Sequence, residues 1–538
     1  MTAAAGPVQA AVPAGTAGLE VVRHQLASVC DAMGATLMRA ASSPNIKERL
    51  DFSCAVFDGN GRLLAQAAHI PVHLGALPAA VAAATAAGSW RRGDAVLLND
   101  PYAGGSHLPD LTLVTPVFEP DGPAPALRAG RPVAFLVSRA HHADVGGMAA
   151  GSLPSADDLF GEGLIVPPVR LIDRGRRVVE VWRIVAANSR TPDARWSDLE
   201  AQASAHRAGG ARLSALIAGE SAFLSRADAL LAWSHALATA QLATLPHGTA
   251  SFADALDDNG RTAEPLPIVV TAQIDGQRMA FDFAGSAPAT VGGLNAPLSV
   301  TRSAALYVAC CLMPGVPIND GLFRVVEVNA PADSIVNPAR PAAVAAGNVE
   351  TSQRIVDVLL GALHALGVPG IPAASQGTMN NMLAGGTTAD GRPWAYYETM
   401  GGGGGAAPGH SGANGLQVHM TNTRNTPIEA LESAYPIRVE KYAIRRGSGG
   451  RGRWAGGDGV VRRLRFLAPA QVTLVTERRR EAPWGLAGGE NGAVGENRLW
   501  RAGRARRLPG KRTFHVDAGD AVEVRSPGGG GYGDPEVG

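Results

Sequence analysis

The chain has 538 residues, a formal net charge of +1 and 46% hydrophobic residues. Near-neutral charge leaves no electrostatic footprint for nucleic acid or an anionic membrane surface, and no run approaches the ~18 apolar residues of a transmembrane helix. At roughly 150 residues per domain the length predicts about three or four lobes, and four cysteines with no CxxC fit a reduced, cytoplasmic setting.

Residues 1–16 are rich in Ala, Gly and Pro and read as a disordered tail, without the basic start or compact apolar block of a signal peptide. Leu19, Val22, Leu26, Val29, Met33 and Leu37 then recur at helical spacing, predicting an amphipathic helix over 17–41. Residues 51–58 read as a strand, and Asp58-Gly59-Asn60-Gly61 predicts a hairpin turn. An Ala-rich helix at 77–87 precedes strands at 95–98 and 111–117. An apolar strand at 133–137 ends at Ser138. Helices are predicted at 196–216 and 222–243, a hairpin around Asp275-Gly276, and buried helices at 301–312 and 349–366. Beyond about 440 the pattern is β-rich, with strands at 460–467, 472–476 and 521–524. Adjacent Cys310 and Cys311 read as buried small hydrophobes. Five consecutive glycines at 401–405 have a flexible linker's composition, yet dense polar sequence follows, which also fits a backbone-lined pocket wall.

Two polar segments stand out. Residues 99–110 pack Asn99, Asp100, His107 and Asp110 among glycines and prolines, residue types that permit and stiffen tight backbone paths. Residues 138–147 hold Arg139, His141, His142 and Asp144. Neighbours on a strand face opposite ways, so His141 and His142 cannot both point inward. With Asp51, His69 and His73 these form a set of imidazoles and carboxylates within the first 150 residues, and five of the thirteen histidines fall between 69 and 142. Mixed nitrogen and oxygen ligands suit Zn²⁺ or Mn²⁺. His24, His206 and His364 lie in helical segments and read as surface or satisfied core residues.

Several chemistries lack their motif. No GxxxxGK[ST] occurs, and the only lysines are Lys47, Lys441 and Lys511. The GxGxxG at Gly447, Gly449 and Gly452 leads into strand-like sequence rather than a helix, which excludes a dinucleotide fingerprint. GxSxG and HExxH are absent, and Cys30 and Cys54 sit among apolar residues, poor surroundings for a nucleophile.

The segments "RLDFSCAVFD" at 49–58, "HIPVHLGALP" at 69–78, "NDPYAGGSHLPDLTLVTPVF" at 99–118, "AHHADVGG" at 140–147, "NVETSQRIVD" at 348–357 and "SPGGGGYGDP" at 526–535 occur in that order. On these the chain resembles the hydantoinase B/oxoprolinase family from about residue 17 to the end. The family includes subunits of ATP-dependent N-methylhydantoinases, 5-oxoprolinases, caprolactamases and ketone carboxylases. The resemblance implies a large mixed α/β (α+β) body, intertwined rather than separable, with a metal-site lobe at 17–190, a helical and central lobe at 191–440 and a β-rich region at 441–538. It implies one divalent metal held by Asp51, His107, Asp110 and His141, the first histidine of its pair.

The resemblance further implies a hydantoinase A-type partner with an actin-like ATPase fold, in a heterotetramer of two chains of each kind. The partner would use ATP to phosphorylate the substrate oxygen, and this chain would open the cyclic amide. Asp144 or Asp100 is expected to carry a proton or to orient His141 or the loop. Two alternatives are a ketone carboxylase subunit and a non-catalytic scaffold for the ATPase.

Overall fold

The architecture follows from which strands are apolar on both faces. The computed structural model describes residues 17–67, 70–119 and 130–536. The tail at 1–16 and His69 lie outside the described residues.

Seven antiparallel strands form the first sheet: β1 (Phe52–Asp58), β2 (Leu63–Gln66), β3 (Ala95–Leu98), β4 (Asp110–Val117), β5 (Ala134–His141), β6 (Val169–Asp173) and β7 (Arg176–Arg177). Their order is β2-β1-β5-β4-β3-β6-β7. β1 and β5 are buried along their whole length because helices cover both faces. On one face, helix Ala17–Ala40 lays Val22, Leu26 and Leu37 against Cys54, Val56 and Leu136, with helices Pro192–Gly219 and Phe223–Leu242 packed beside it. On the other, Leu77 and Val81 of helix Ala76–Ala86 meet Phe57, Val114 and Phe135.

A second, four-stranded sheet (Gly248–Leu256, Leu266–Ile274, Met279–Asp282 and Val326–Asn329) packs on the buried helices Leu298–Leu312 and Ser352–Ala365. The third sheet joins Pro393–Glu398 and Asn381–Thr387 to Ala470–Val475 and Lys511–Val516, so it is built from both sides of residue 440. The fourth carries Ile437–Arg445, Gly459–Phe466, Ala521–Arg525, Glu496–Arg501 and Arg504–Leu508 in spatial order. Among the described residues no helix is long and apolar enough to cross a membrane.

Three local expectations change. The glycines at 401–405 are not a linker: Gly403 N donates to Pro527 O, Gly404 N to Ala413 O and Gly457 N to Gly404 O, at 2.9–3.0 Å. This is a packed layer of backbone, possible because no side chain intervenes. Strand β5 runs past Ser138 to His141, since pairing with β1 and β4 on either side fixes those residues as extended. The cysteine pair is less enclosed than expected, with Cys310 half-buried and Cys311 exposed on the last turn of its helix.

Candidate metal centre

Strand register assembles the site. Asp110 opens β4 directly opposite His141, which closes β5, so their side chains share one face. On the far side of β5, His141 N donates to Asp51 O at 3.0 Å, which places Asp51 beside the same pair. His107 arrives from the loop before β4, where Asp110 N donates back to His107 O at 3.1 Å. That loop is held by Asn99, whose side-chain amide donates to Leu108 O at 2.7 Å and to Leu164 O at 2.9 Å, and whose oxygen accepts from Val166 N. Gly104 permits the tight path. Its φ is +91°, and a Cβ there would lie 2.5 Å from the Ala80 backbone nitrogen.

The ligand atoms converge. His107 Nε2 lies 3.1 Å from Asp110 Oδ1 and 3.2 Å from His141 Nδ1, and His141 Nδ1 lies 3.2 Å from the same carboxylate oxygen. All three side chains are buried, and together they form a group able to hold a metal ion. His107 Nδ1 lies 3.1 Å from Ala345 O. A carbonyl only accepts, so the proton sits on Nδ1 and Nε2 presents a lone pair to the cluster. Burial lowers the pKa of His141 and keeps its ring neutral, as a ligand must be. Burial opposes ionisation of Asp110, but its contacts with the imidazoles of His107, His141 and His73 outweigh it, and the carboxyl lies well below its usual range. The donor set therefore fits one divalent cation: two imidazole nitrogens and an ionised carboxylate, all buried.

Asp51 lines the same cavity without joining the cluster of three. Its carboxylate lies 3.8 Å from Arg49, which also covers the ring of Tyr397 at 4.7 Å. The cavity measures about 20 Å³, room for an ion or one water, and its walls include Val72, Val349, Met379 and Met420. His142 points the other way, to Gln202 Oε1 at 3.0 Å, and burial pushes its pKa down to about 3. His206 is satisfied by Thr115 and Ser138.

Asp144 and Asp100 do not line this cavity. Asp144 accepts from Arg190 Nη1 at 2.8 Å and from Arg190 N at 2.7 Å, pinning the loop after β5 to residue 190. Asp100 accepts from Tyr102 N and from Arg340 Nη1. Each of the two carboxylates is engaged by an arginine and a backbone nitrogen.

Three contacts were not singled out from sequence. His73 Nε2 lies 3.3 Å from Asp110 Oδ2, and Asn348 Nδ2 lies 3.2 Å from His107 Nε2. Tyr397 stacks on the His141 ring, centroids 4.8 Å apart. Asn348 opens "NVETSQRIVD", so a signal existed, but nothing local ties it to His107.

The description hydantoinase B/oxoprolinase matches residues 16–535. The chain belongs to the hydantoinase B/oxoprolinase family. It is 38% identical over 526 residues to an uncharacterized protein of Methanocaldococcus jannaschii, covering 96% of this chain and 90% of that protein. It is 37% identical over 553 residues to 5-oxoprolinase 1 of Arabidopsis thaliana, covering 96% of this chain but only 41% of that protein. The fold of the ATP-dependent caprolactamase from Pseudomonas jessenii superposes with a TM-score of 0.88 at 27% identity, covering 97% of this chain and 92% of that one. In this hydantoinase B-type chain another cavity, about 820 Å³, shares no wall with the cluster and is basic, lined by Arg261, Arg480, Arg507 and Arg512 among others. Among the described residues the candidate metal-holding group is His107, Asp110 and His141, and two of the three line the small cavity.

Proposed function

We propose that this chain is the metal-dependent B-type component of an ATP-dependent cyclic amide hydrolase acting on a hydantoin, 5-oxoproline or another lactam. The observation that carries the reading is the convergence of His107 Nε2, Asp110 Oδ1 and His141 Nδ1 in a buried pocket of a hydantoinase B-type chain. These three residues would hold one Zn²⁺ or Mn²⁺, with Asp51 as a fourth ligand from the same cavity wall. When bound, such an ion supplies Lewis acidity toward the amide carbonyl and the attacking water. The chain's own residues set the conditions. The Ala345 carbonyl fixes the His107 tautomer, Tyr397 fixes the His141 ring plane, and the apolar walls exclude bulk water.

The ATP step belongs to a hydantoinase A-type partner, two chains of each forming the assembly. Two facts support this division. No phosphate-binding loop occurs in the sequence, and the plant 5-oxoprolinase extends well beyond the 41% that aligns. The test is co-expression with an A-type chain, following phosphate release with hydantoins, 5-oxoproline and acetophenone. Ring-dependent phosphate release by the pair, and none by this chain alone, is the expected result. Release driven only by acetophenone with bicarbonate would replace the hydrolase reading with carboxylation. His107→Ala should cut metal affinity about tenfold or more by elemental analysis. Full metal occupancy in that variant would remove the assignment.

A further inference from the structure

A second cavity of about 510 Å³ lies against the small one, between β2, the helix Leu298–Leu312 and the chain at 315–318. Three stretches of chain run from the wall of one into the wall of the other. Ile70 belongs to both. At the start of β1, Asp51 faces the small cavity and Ser53 the large one. Along 420–422, Met420 and Thr421 face the small cavity and Asn422 the large one. A polar path runs the same way: Ser53 Oγ lies 2.8 Å from His73 Nδ1, and His73 Nε2 lies 3.3 Å from Asp110 Oδ2.

We infer that this outer cavity is where the ring substrate sits and passes to the metal cluster, with Ile70 as the partition and Cys311 at the rim. The inference rests on the reading given under Proposed function. The volume falls within the ~300–1,000 Å³ typical of small-ligand pockets. Leu64, Leu74, Val316 and Ile318 make the walls apolar, while Ser53 and Asn422 put polar groups at the inner end. That polarity fits a small ring with an apolar edge turned outward and its amide edge turned toward the cluster. The basic cavity has no residue in common with the small one.

The test needs no substrate and no partner. The full-length chain is loaded with Co²⁺, and loss of the cobalt absorption band is followed after adding pyridine-2,6-dicarboxylate, a flat ring of about the expected size. Alkylating the exposed Cys311 with a bulky maleimide should slow release about tenfold, and Ile70→Ala should accelerate it, as expected for a gated route. Cys311→Ser should release cobalt equally fast with and without the same maleimide treatment, which assigns the block to that thiol. Equal release rates in native, alkylated and Ile70→Ala protein would overturn the route while leaving the metal centre intact. Cobalt that fails to bind, or binds equally well to His107→Ala, would overturn the metal centre and the route with it.

Discussion

His141 and His142 are covalent neighbours with opposite surroundings. His141 meets Asp110 and His107, and His142 meets Gln202 in the core on the other side of the sheet. His141→Ala is therefore expected to lose metal, whereas His142→Gln keeps it and pays only in thermal stability; metal content and Tm measured on both variants check this. Glu162 offers a test in pH. Its Oε1 accepts from Val344 N and Ala345 N at 2.8 Å, its Oε2 is buried without a partner among the described residues, and burial pushes its pKa up from 4.5 to about 8. Below pH 4.5 the carboxyl is protonated both folded and unfolded, and its contribution to stability is complete. As pH rises from there to about 8 the unfolded chain ionises first and stability falls. Glu162→Gln removes that slope, so the variant should match the native Tm near pH 5 and exceed it near pH 9. A native Tm that rises over that interval relative to the variant would contradict the buried neutral acid. Ligand types were legible at this scale, because His107, Asp110 and His141 stand in short segments crowded with polar residues. His73 and Asn348 were not assigned, since packing of distant segments, rather than spacing in the chain, brings them to the cluster.

Elements bounded by turn residues and carrying apolar periodicity were readable, as with the helix Ala17–Ala40 and strands β3 and β4. Elements whose conformation depends on a partner were not. The strand Asn381–Thr387 contains two adjacent glycines and is extended only because Pro393–Glu398 and Ala470–Val475 flank it. The expected helix at 349–366 begins with a wide π turn over Gly347–Thr351, which carries Asn348 to His107. Such insertions in a helix often sit at functional sites. Gly347 allows that turn, since a Cβ there would lie 1.9 Å from Asn295 O. The glycine layer is equally intolerant. A Cβ on Gly403 would come within 2.0 Å of Gly457 O and 2.2 Å of Gly529 N, all of it backbone that cannot rotate away. Gly403→Ala should cost more than about 4 kcal/mol and leave little soluble protein, whereas Gly391→Ala, on an open turn, should cost far less despite its φ of +83°. Expression yield and denaturant midpoints of the two variants check the contrast.

Over the whole molecule, the family resemblance implied a large mixed α/β body, but not how the four sheets of the described residues share the chain. The third sheet pairs residues 381–398 with 470–516, and such pairings leave no trace in local periodicity. The glycine layer is the extreme case of this sharing. Gly529 N donates to Gly457 O, Gly457 N to Gly404 O, and Ala406 N to Gly530 O. Three segments far apart in sequence thus close over one another with backbone alone. Synthesis proceeds from the N-terminus at ~5–20 residues per second. Residues 403–406 therefore leave the ribosome well before the segment at 527–530, which accepts from Gly403 N and Ala406 N, exists. During that interval they are a bare, unpaired peptide edge, a surface on which a nascent chain could pair with a neighbour or be held by a chaperone. Residues 51–141, which carry Asp51, His107, Asp110 and His141, emerge long before, and Ala345, Asn348 and Tyr397 join them while the C-terminal layer is still open.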